Sequence, residues 1–274
     1  MYDLEELENI RKFLKHGYIP IRNMNIRQEE DVSSFVFIDR DGKVYYTPML
    51  KEERCVLVAD IVGYSQKSMN EQIMLVETMN ICFHETAEYL KKSAFGWEQW
   101  TLYKGTGDGA IFVFGQLLDP KAVCDALKFA VWCYRNIIKR NKELPPDALN
   151  YLCIRMTLSY GRIYVTKDLF GNVDIIGDAI NVASRLASAK ETKGGGIFID
   201  GNIYHNLQIN RVIYYVNEDK SMPASGELSD FVIGKRPDAN NFLYITQKGL
   251  FETKDRIIVA YGISGRLEGV DIVS

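Results

Sequence analysis

The sequence predicts an α+β fold: a ferredoxin-like βαββαβ core carrying additional strands and helices. Two patterns point there. Between residues 55 and 200, short apolar runs of strand length alternate with long stretches whose apolar residues recur every three to four positions. Glycine-bearing turns separate consecutive strands, so the strands pair antiparallel and the two long helices cover one face. Length and composition agree. A chain of 274 residues suits one core with decorated ends and can bury roughly three quarters of its unfolded surface. With 47% hydrophobic and 25% charged residues it is composed like a folded globular protein, not a disordered one.

Residues 1–50 read as an N-terminal extension. An amphipathic helix is expected over residues 4–14, with Leu7, Ile10 and Leu14 on one face. A short hairpin follows, in which Asp39-Arg40-Asp41-Gly42 separates Phe35-Val36-Phe37-Ile38 from Val44-Tyr45-Tyr46. The core, residues 51–274, opens with the buried strand Cys55-Val56-Leu57-Val58-Ala59. A helix is expected over 70–93, where Ile73, Val76, Met79, Phe83, Ala87 and Leu90 share a face. A hairpin comes next, 97–103 and 110–114, turned at Gly105-Thr106-Gly107-Asp108-Gly109. The second long helix covers 120–142. Residues 152–160 and 162–165 read as two strands joined at Gly161. A short helix over 178–189, with Asp178 as its N-cap, precedes Gly194-Gly195-Gly196 and the strand Ile197-Phe198-Ile199. Strands are expected over 212–216, 242–245 and 256–261, and the polar stretch 217–241 reads as an exposed insertion.

Several function classes are disfavoured by composition alone. A net charge of −3 gives no basic field for DNA or RNA. Five cysteines, an odd number without a C-x-x-C pair, sit in apolar runs and read as reduced, buried thiols. Three widely separated histidines offer no zinc spacing. No apolar run approaches the roughly 20 residues of a membrane span. The acidic start lacks the basic flank of a signal peptide, so a cytoplasmic location is expected.

The residues that can do chemistry are few. Asp60 ends a buried strand and Asp108 sits at a hairpin tip; converging at one sheet end, they can hold two Mg²⁺ ions. The segment Ile61-Val62-Gly63-Tyr64-Ser65 then leads towards a helix, and its backbone N–H groups can cradle phosphates. Each feature has a plainer reading. Gly107-Asp108-Gly109 turns a hairpin unaided, and Asp60 can cap a helix.

Taken together, three blocks resemble the class III nucleotide cyclases. They are Val58-Ala59-Asp60-Ile61-Val62-Gly63-Tyr64-Ser65, Lys104-Gly105-Thr106-Gly107-Asp108-Gly109 and Asp174-Ile175-Ile176-Gly177-Asp178-Ala179-Ile180-Asn181-Val182-Ala183-Ser184-Arg185. They occur in the family's order and spacing, and the resemblance covers roughly residues 53–200; residues 1–50 and 217–241 fall outside it. It implies a cyclase turning a nucleoside triphosphate into its 3′,5′-cyclic monophosphate and pyrophosphate. It further implies a metal set of Asp60, Ile61 and Asp108 holding two Mg²⁺ or Mn²⁺ ions, with Asn181 orienting the ribose and Arg185 stabilising the reacting phosphoryl group. Asn181 and Arg185 stand four apart, so a helix puts them on one face. The family forms its sites across a dimer, which implies a homodimer here. Lys248 is a candidate for the triphosphate, against the plainer reading of an exposed loop lysine.

Lys104 and Asp174 match the family's base-selecting positions. Asp accepts from an exocyclic amine and Lys donates to a ring acceptor, which suits adenine or cytosine over guanine or uracil. ATP or CTP is therefore the expected substrate. The isolated catalytic domain also resembles the pyrimidine cyclases of bacterial anti-phage (Pycsar-type) systems, which make cyclic CMP or cyclic UMP. The non-enzymatic alternative, a regulatory pseudo-cyclase, would lack one of Asp60, Asp108, Asn181 or Arg185; all four are present.

Overall fold

A computed structural model describes residues 19–20, 34–38, 44–48, 50–92, 100, 102–115, 121–145, 148–167, 173–209, 214–215, 226–227, 242–252 and 257–273. The helix expected over 4–14, the turn at 39–42 and most of the 217–241 stretch lie outside them. The chain forms two compact units. The smaller comprises residues up to Glu53 together with Arg162–Asp178, and the larger comprises Arg54–Gly161 and Ala179–Ser274.

In the smaller unit, β1 (Ile19–Pro20), β2 (Ser34–Ile38) and β3 (Val44–Pro48) form an antiparallel sheet in the order β1-β3-β2. The expected 35–38/44–46 hairpin is present, with Phe37 opposite Tyr45 and Ile38 opposite Val44.

The larger unit follows the expected order. It begins with β4 (Leu50–Ile61), α1 (Met69–Lys92), β5 (Leu102–Gly105), β6 (Gly109–Phe114), α2 (Lys121–Lys142) and β7 (Ile154–Lys167). After β8 (Val173–Ile176), which belongs to the smaller unit, come α3 (Asp178–Ala187), β9 (Gly196–Asp200) and α4 (Gly201–Ile209). The chain closes with β10 (Tyr214–Tyr215), β11 (Gly226–Glu227), β12 (Phe242–Glu252), β13 (Ile257–Leu267) and β14 (Val270–Ile272). The strand order is β10-β11-β12-β13-β9-β7-β4-β6-β5, with β14 paired to β13. β4 therefore lies inside the sheet, flanked by β6 and β7. Its run Cys55–Ala59 is buried on both faces, which is why it reads as continuously apolar rather than alternating.

Alternation along the strands sorts the core. Cys55, Leu57, Ala59, Phe112, Phe114, Ile197 and Ile199 face the main cluster, where α1, α2 and α4 pack. Phe112 is its aromatic hub, with ring centroids 5.0 Å from Phe83, 4.9 Å from Trp100 and 5.0 Å from Phe129. α3 packs on the opposite face, where Leu186 meets Phe198, Phe251, Ile258 and Ala260.

Four expectations need correction. Residues 152–160 and 162–165 are not two strands joined at Gly161; they belong to the single strand β7. Gly161 makes no turn, and a Cβ there would meet the Ala179 methyl at an ordinary contact distance of 3.8 Å. Asp178 is the first helical residue of α3, not its N-cap; a carboxylate there still complements the helix dipole. Gly226–Glu227, read as exposed loop, pairs between β10 and β12. Lys248 lies within β12, where the register slips between Gln247 and Gly249, rather than in a loop. The helix α4 was missed altogether. All five cysteines are free. Among the described residues, no helix is long and apolar enough to cross a membrane.

Candidate active site

Asp60 and Asp108 are brought together by strand register. Asp60 pairs opposite Gly109 across β4 and β6, and the Ile61 amide donates to the Asp108 carbonyl at 2.9 Å. The close approach demands glycine at 109, because a Cβ there would lie 2.1 Å from the Ala59 carbonyl oxygen. The glycines around Asp108 therefore do more than turn a hairpin: one lets its strand press against the strand end that carries Asp60.

The environment of Asp60 is mixed. Partial burial pushes its carboxyl above the ordinary value, and the neighbouring Asp108 charge adds to that. Arg155 on β7 opposes both: its Nε donates to Asp60 Oδ2 at 2.5 Å. Arg155 is a site residue that sequence reasoning missed. Nothing in the sequence ties a strand arginine to a carboxylate 95 positions away, although Arg155 is the one charged residue in the run Cys153–Leu158.

The segment after Asp60 is tightly held. The Val62 amide donates to the Cys153 carbonyl at 2.9 Å, and Gly63 takes a left-handed conformation before a short 3₁₀ turn, Tyr64–Gln66. Amides of Gln66 and Lys67 close that turn on the carbonyls of Gly63 and Tyr64. Ile61, Val62, Gln66 and Lys67 thus spend their N–H groups internally. Among the described residues, those of Gly63, Tyr64 and Ser65 do not. α1 then starts with a capping box: Ser68 Oγ donates to Glu71 Oε2 at 2.7 Å, and the Ser68 amide donates to the same oxygen at 2.8 Å.

On α3, Asn181 is exposed and Arg185 is half-buried, while Ala183 and Leu186 are buried. Thr157 ties this helix to the sheet. Its buried hydroxyl donates to the Ala183 carbonyl at 2.8 Å, with the Val58 carbonyl 3.4 Å away. One side chain on β7 thus touches both α3 and β4, the strand that carries Asp60. Lys104 is exposed on β5 opposite Ile111, and Lys248 is exposed on β12. In the smaller unit, Asp174 stands on β8 opposite Thr166, and its Oδ1 accepts from the Ile175 amide at 2.8 Å.

A metal site built here would have an oxygen-only donor set, the two carboxylates plus backbone carbonyls, which fits Mg²⁺ or Mn²⁺ and excludes a soft-metal preference. Among the described residues, no group of three or more His, Cys, Asp and Glu side chains gathers anywhere. Two protein carboxylates are too few for a closed cage, and they suit an ion that shares its coordination with substrate phosphates.

No protein-family model matches the chain. A curated relative, putative adenylate cyclase 3 of Rhizobium meliloti (strain 1021), is 26% identical over 162 residues. That match covers 59% of this chain and 24% of the relative, so it spans about a quarter of that protein's length. Among solved structures, the adenylyl cyclase CyaB from P. aeruginosa superposes with a TM-score of 0.54 at 19% identity, covering 81% of this chain and 98% of that one. The guanylyl cyclase Cya2 superposes with a TM-score of 0.52 at 17% identity, covering 82% and 99%. The fold of this chain is that of the adenylyl and guanylyl cyclases.

Proposed function

We propose that this protein is a nucleotide cyclase that closes a nucleoside triphosphate into its 3′,5′-cyclic monophosphate with release of pyrophosphate. The observation carrying the proposal is the convergence of Asp60 and Asp108 at the ends of paired strands, directly before a loop and a capped helix N-terminus. Bound Mg²⁺ or Mn²⁺, two ions per site, would supply Lewis-acid activation of the 3′-hydroxyl and charge neutralisation on the triphosphate.

The chain's own residues divide the remaining work. Asp60 and Asp108, with the backbone at Ile61, hold the cations. The N–H groups of Gly63, Tyr64 and Ser65 receive phosphate oxygens. Arg155 keeps Asp60 oriented and brings permanent positive charge to the same strand end. Asn181 orients the ribose. Arg185 presents a planar fork to the transition-state oxygens, a contribution worth about 10³-fold or more in rate. Lys104 and Asp174 read the base, Asp174 by accepting from an exocyclic amine, which makes ATP or CTP the preferred substrate. Lys248 contacts the triphosphate. A homodimer in which Lys104, Asp174, Asn181 and Arg185 serve the site whose cations the other protomer holds would create two equivalent sites. Residues 1–50 act as an extension to this catalytic domain and 217–241 as an insertion in it.

Pyrimidine cyclisation in anti-phage signalling is the second reading. The amine-accepting Asp174 favours it only for CTP, since uracil presents a carbonyl where that carboxylate needs an amine.

The experiment is pyrophosphate release from ATP or CTP with Mn²⁺, compared among the wild type, D60N and D108N. The proposal requires turnover that both substitutions abolish while the protein stays folded. Turnover surviving in either variant would remove the metal pair from the account.

A further inference from the structure

A second site lies between α1, α2 and the β13–β14 turn and shares no residue with the candidate active site. A cleft of about 400 Å³ opens there, lined among others by Tyr89, Trp132, Arg135, Lys139, Arg140 and Glu268. Its centre is Arg135. This side chain is only 14% exposed, and its guanidinium carbon lies 5.7 Å from the centroid of Trp132, whose ring packs 4.8 Å from that of Tyr89.

The guanidinium is held by an incomplete set of partners. Nη2 donates to Glu268 Oε2 at 2.7 Å and Nη1 donates to Asn136 Oδ1 at 3.1 Å. Nε is buried and meets no acceptor among the described residues. An arginine grips a carboxylate or phosphate best through Nε and Nη2 together, as two parallel bonds. Glu268 occupies one corner of that fork and leaves the other without a partner.

Glu268 is also poorly seated. It is the one non-glycine residue with positive φ among the described residues, at 47°, and Gly269 follows at 76°. Such a two-residue turn with both central residues left-handed favours Asn, Asp or Gly at its first position, and a glutamate there is crowded. The Glu268 side chain is half exposed besides. A half-exposed carboxylate on a strained turn is readily displaced.

We propose that this cleft binds a small organic monoanion carrying a flat ring. Its oxyanion displaces Glu268 and takes both Nε and Nη2 of Arg135, while its ring lies against Tyr89, which is 43% exposed. The charge of the walls sets the class of ligand. Glu85 and Glu143 balance Lys139 and Arg140 around the cleft, so a polyanion such as a nucleoside triphosphate gains little here and a single negative charge suffices.

Benzoate is a suitable probe, titrated by calorimetry against the full chain without metal or nucleotide, so the result is independent of cyclase activity. E268G removes the internal occupant and relieves the turn. It is expected to stay folded and to bind benzoate at least fivefold more tightly than the wild type. R135K keeps the charge but loses the fork, and is expected to bind at least tenfold more weakly than the wild type. Acetate, lacking the ring, is expected to bind at least tenfold more weakly than benzoate. Binding in E268G no tighter than in the wild type, undiminished binding in a folded R135K, or no benzoate binding by either wild type or E268G would each overturn the proposal.

Discussion

Replacing Gly109 by alanine tests the geometry that joins Asp60 to Asp108. The new Cβ would stand 2.1 Å from the Ala59 carbonyl oxygen, 3.1 Å from its carbonyl carbon and 3.2 Å from the Asp60 Cα. All three neighbours are backbone, so no side chain can rotate away. Reaching ordinary contact requires β4 and β6 to part by about 1 Å at the position where they carry the two carboxylates. Overpacking of this kind costs about 1–3 kcal/mol. A misplacement of about 1 Å at a reacting centre costs about 10²-fold in rate. G109A should therefore melt several degrees lower, bind Mn²⁺ more weakly and lose about 10²-fold in turnover. Calorimetric titration with Mn²⁺ separates the site effect from general destabilisation when it is run well below the melting temperature. G107A is the control, because a Cβ at Gly107 meets nothing within 4 Å and only its positive φ is strained. Unchanged Mn²⁺ affinity in G109A would refute the reasoning, as would an equal loss of affinity in G107A.

Three further outcomes follow from the geometry. R185A should lose about 10³-fold in turnover with Mn²⁺ affinity and melting temperature unchanged; a matching loss of Mn²⁺ affinity would assign Arg185 a structural role. T157V removes the hydroxyl that donates to the Ala183 carbonyl, the loss of one buried hydrogen bond worth about 0.5–1.5 kcal/mol by urea unfolding; a change below about 0.5 kcal/mol would show that this hydroxyl does not anchor α3. D200N tests a buried acid. Burial pushes Asp200 from 3.8 up to about 6, against the lowering effect of bonds from Ser159 Oγ and the Ile203 amide. Because the folded state favours the protonated form, the stability Asp200 contributes is complete below pH about 4 and is lost as pH rises through about 6. The gap corresponds to about 3 kcal/mol, so D200N should gain that much relative to the wild type between pH 4 and 7. A difference between the two proteins that does not vary with pH would refute it.

The fold was legible where period and turn chemistry agreed. α1 and α2 follow from apolar residues at helical spacing, and β6 from an unbroken apolar run behind a glycine-rich turn. Glycine misled at 161, where it lies within the unbroken strand β7; a lone glycine in the sequence does not distinguish a turn from a strand interior. α4 escaped because its buried residues, Ile203, Tyr204 and Leu207, are too few to show a period in nine positions. In the candidate site, Asp60 and Asp108 were visible as carboxylates at the ends of strands. Arg155 was not, because long-range ion pairs depend on strand order and register. Likewise, the engagement of Ile61 and Val62 amides with the Asp108 and Cys153 carbonyls is a tertiary fact that no local pattern carries. Glu268 and Arg135 are separated by 133 positions, and their pairing could be seen only once β13 and β14 were placed beside α2.

The most direct measurement is the identity of the product. Purified protein is incubated separately with ATP, CTP, GTP and UTP in the presence of Mg²⁺ or Mn²⁺, and the nucleotides formed are identified by mass spectrometry. The account predicts a 3′,5′-cyclic monophosphate and pyrophosphate in equal amounts from ATP or CTP, with GTP and UTP poorly used. Cyclic UMP or cyclic GMP as the main product would contradict the reading of Lys104 and Asp174. No cyclic product from any of the four, with the protein folded and the metal bound, would contradict the proposed function itself.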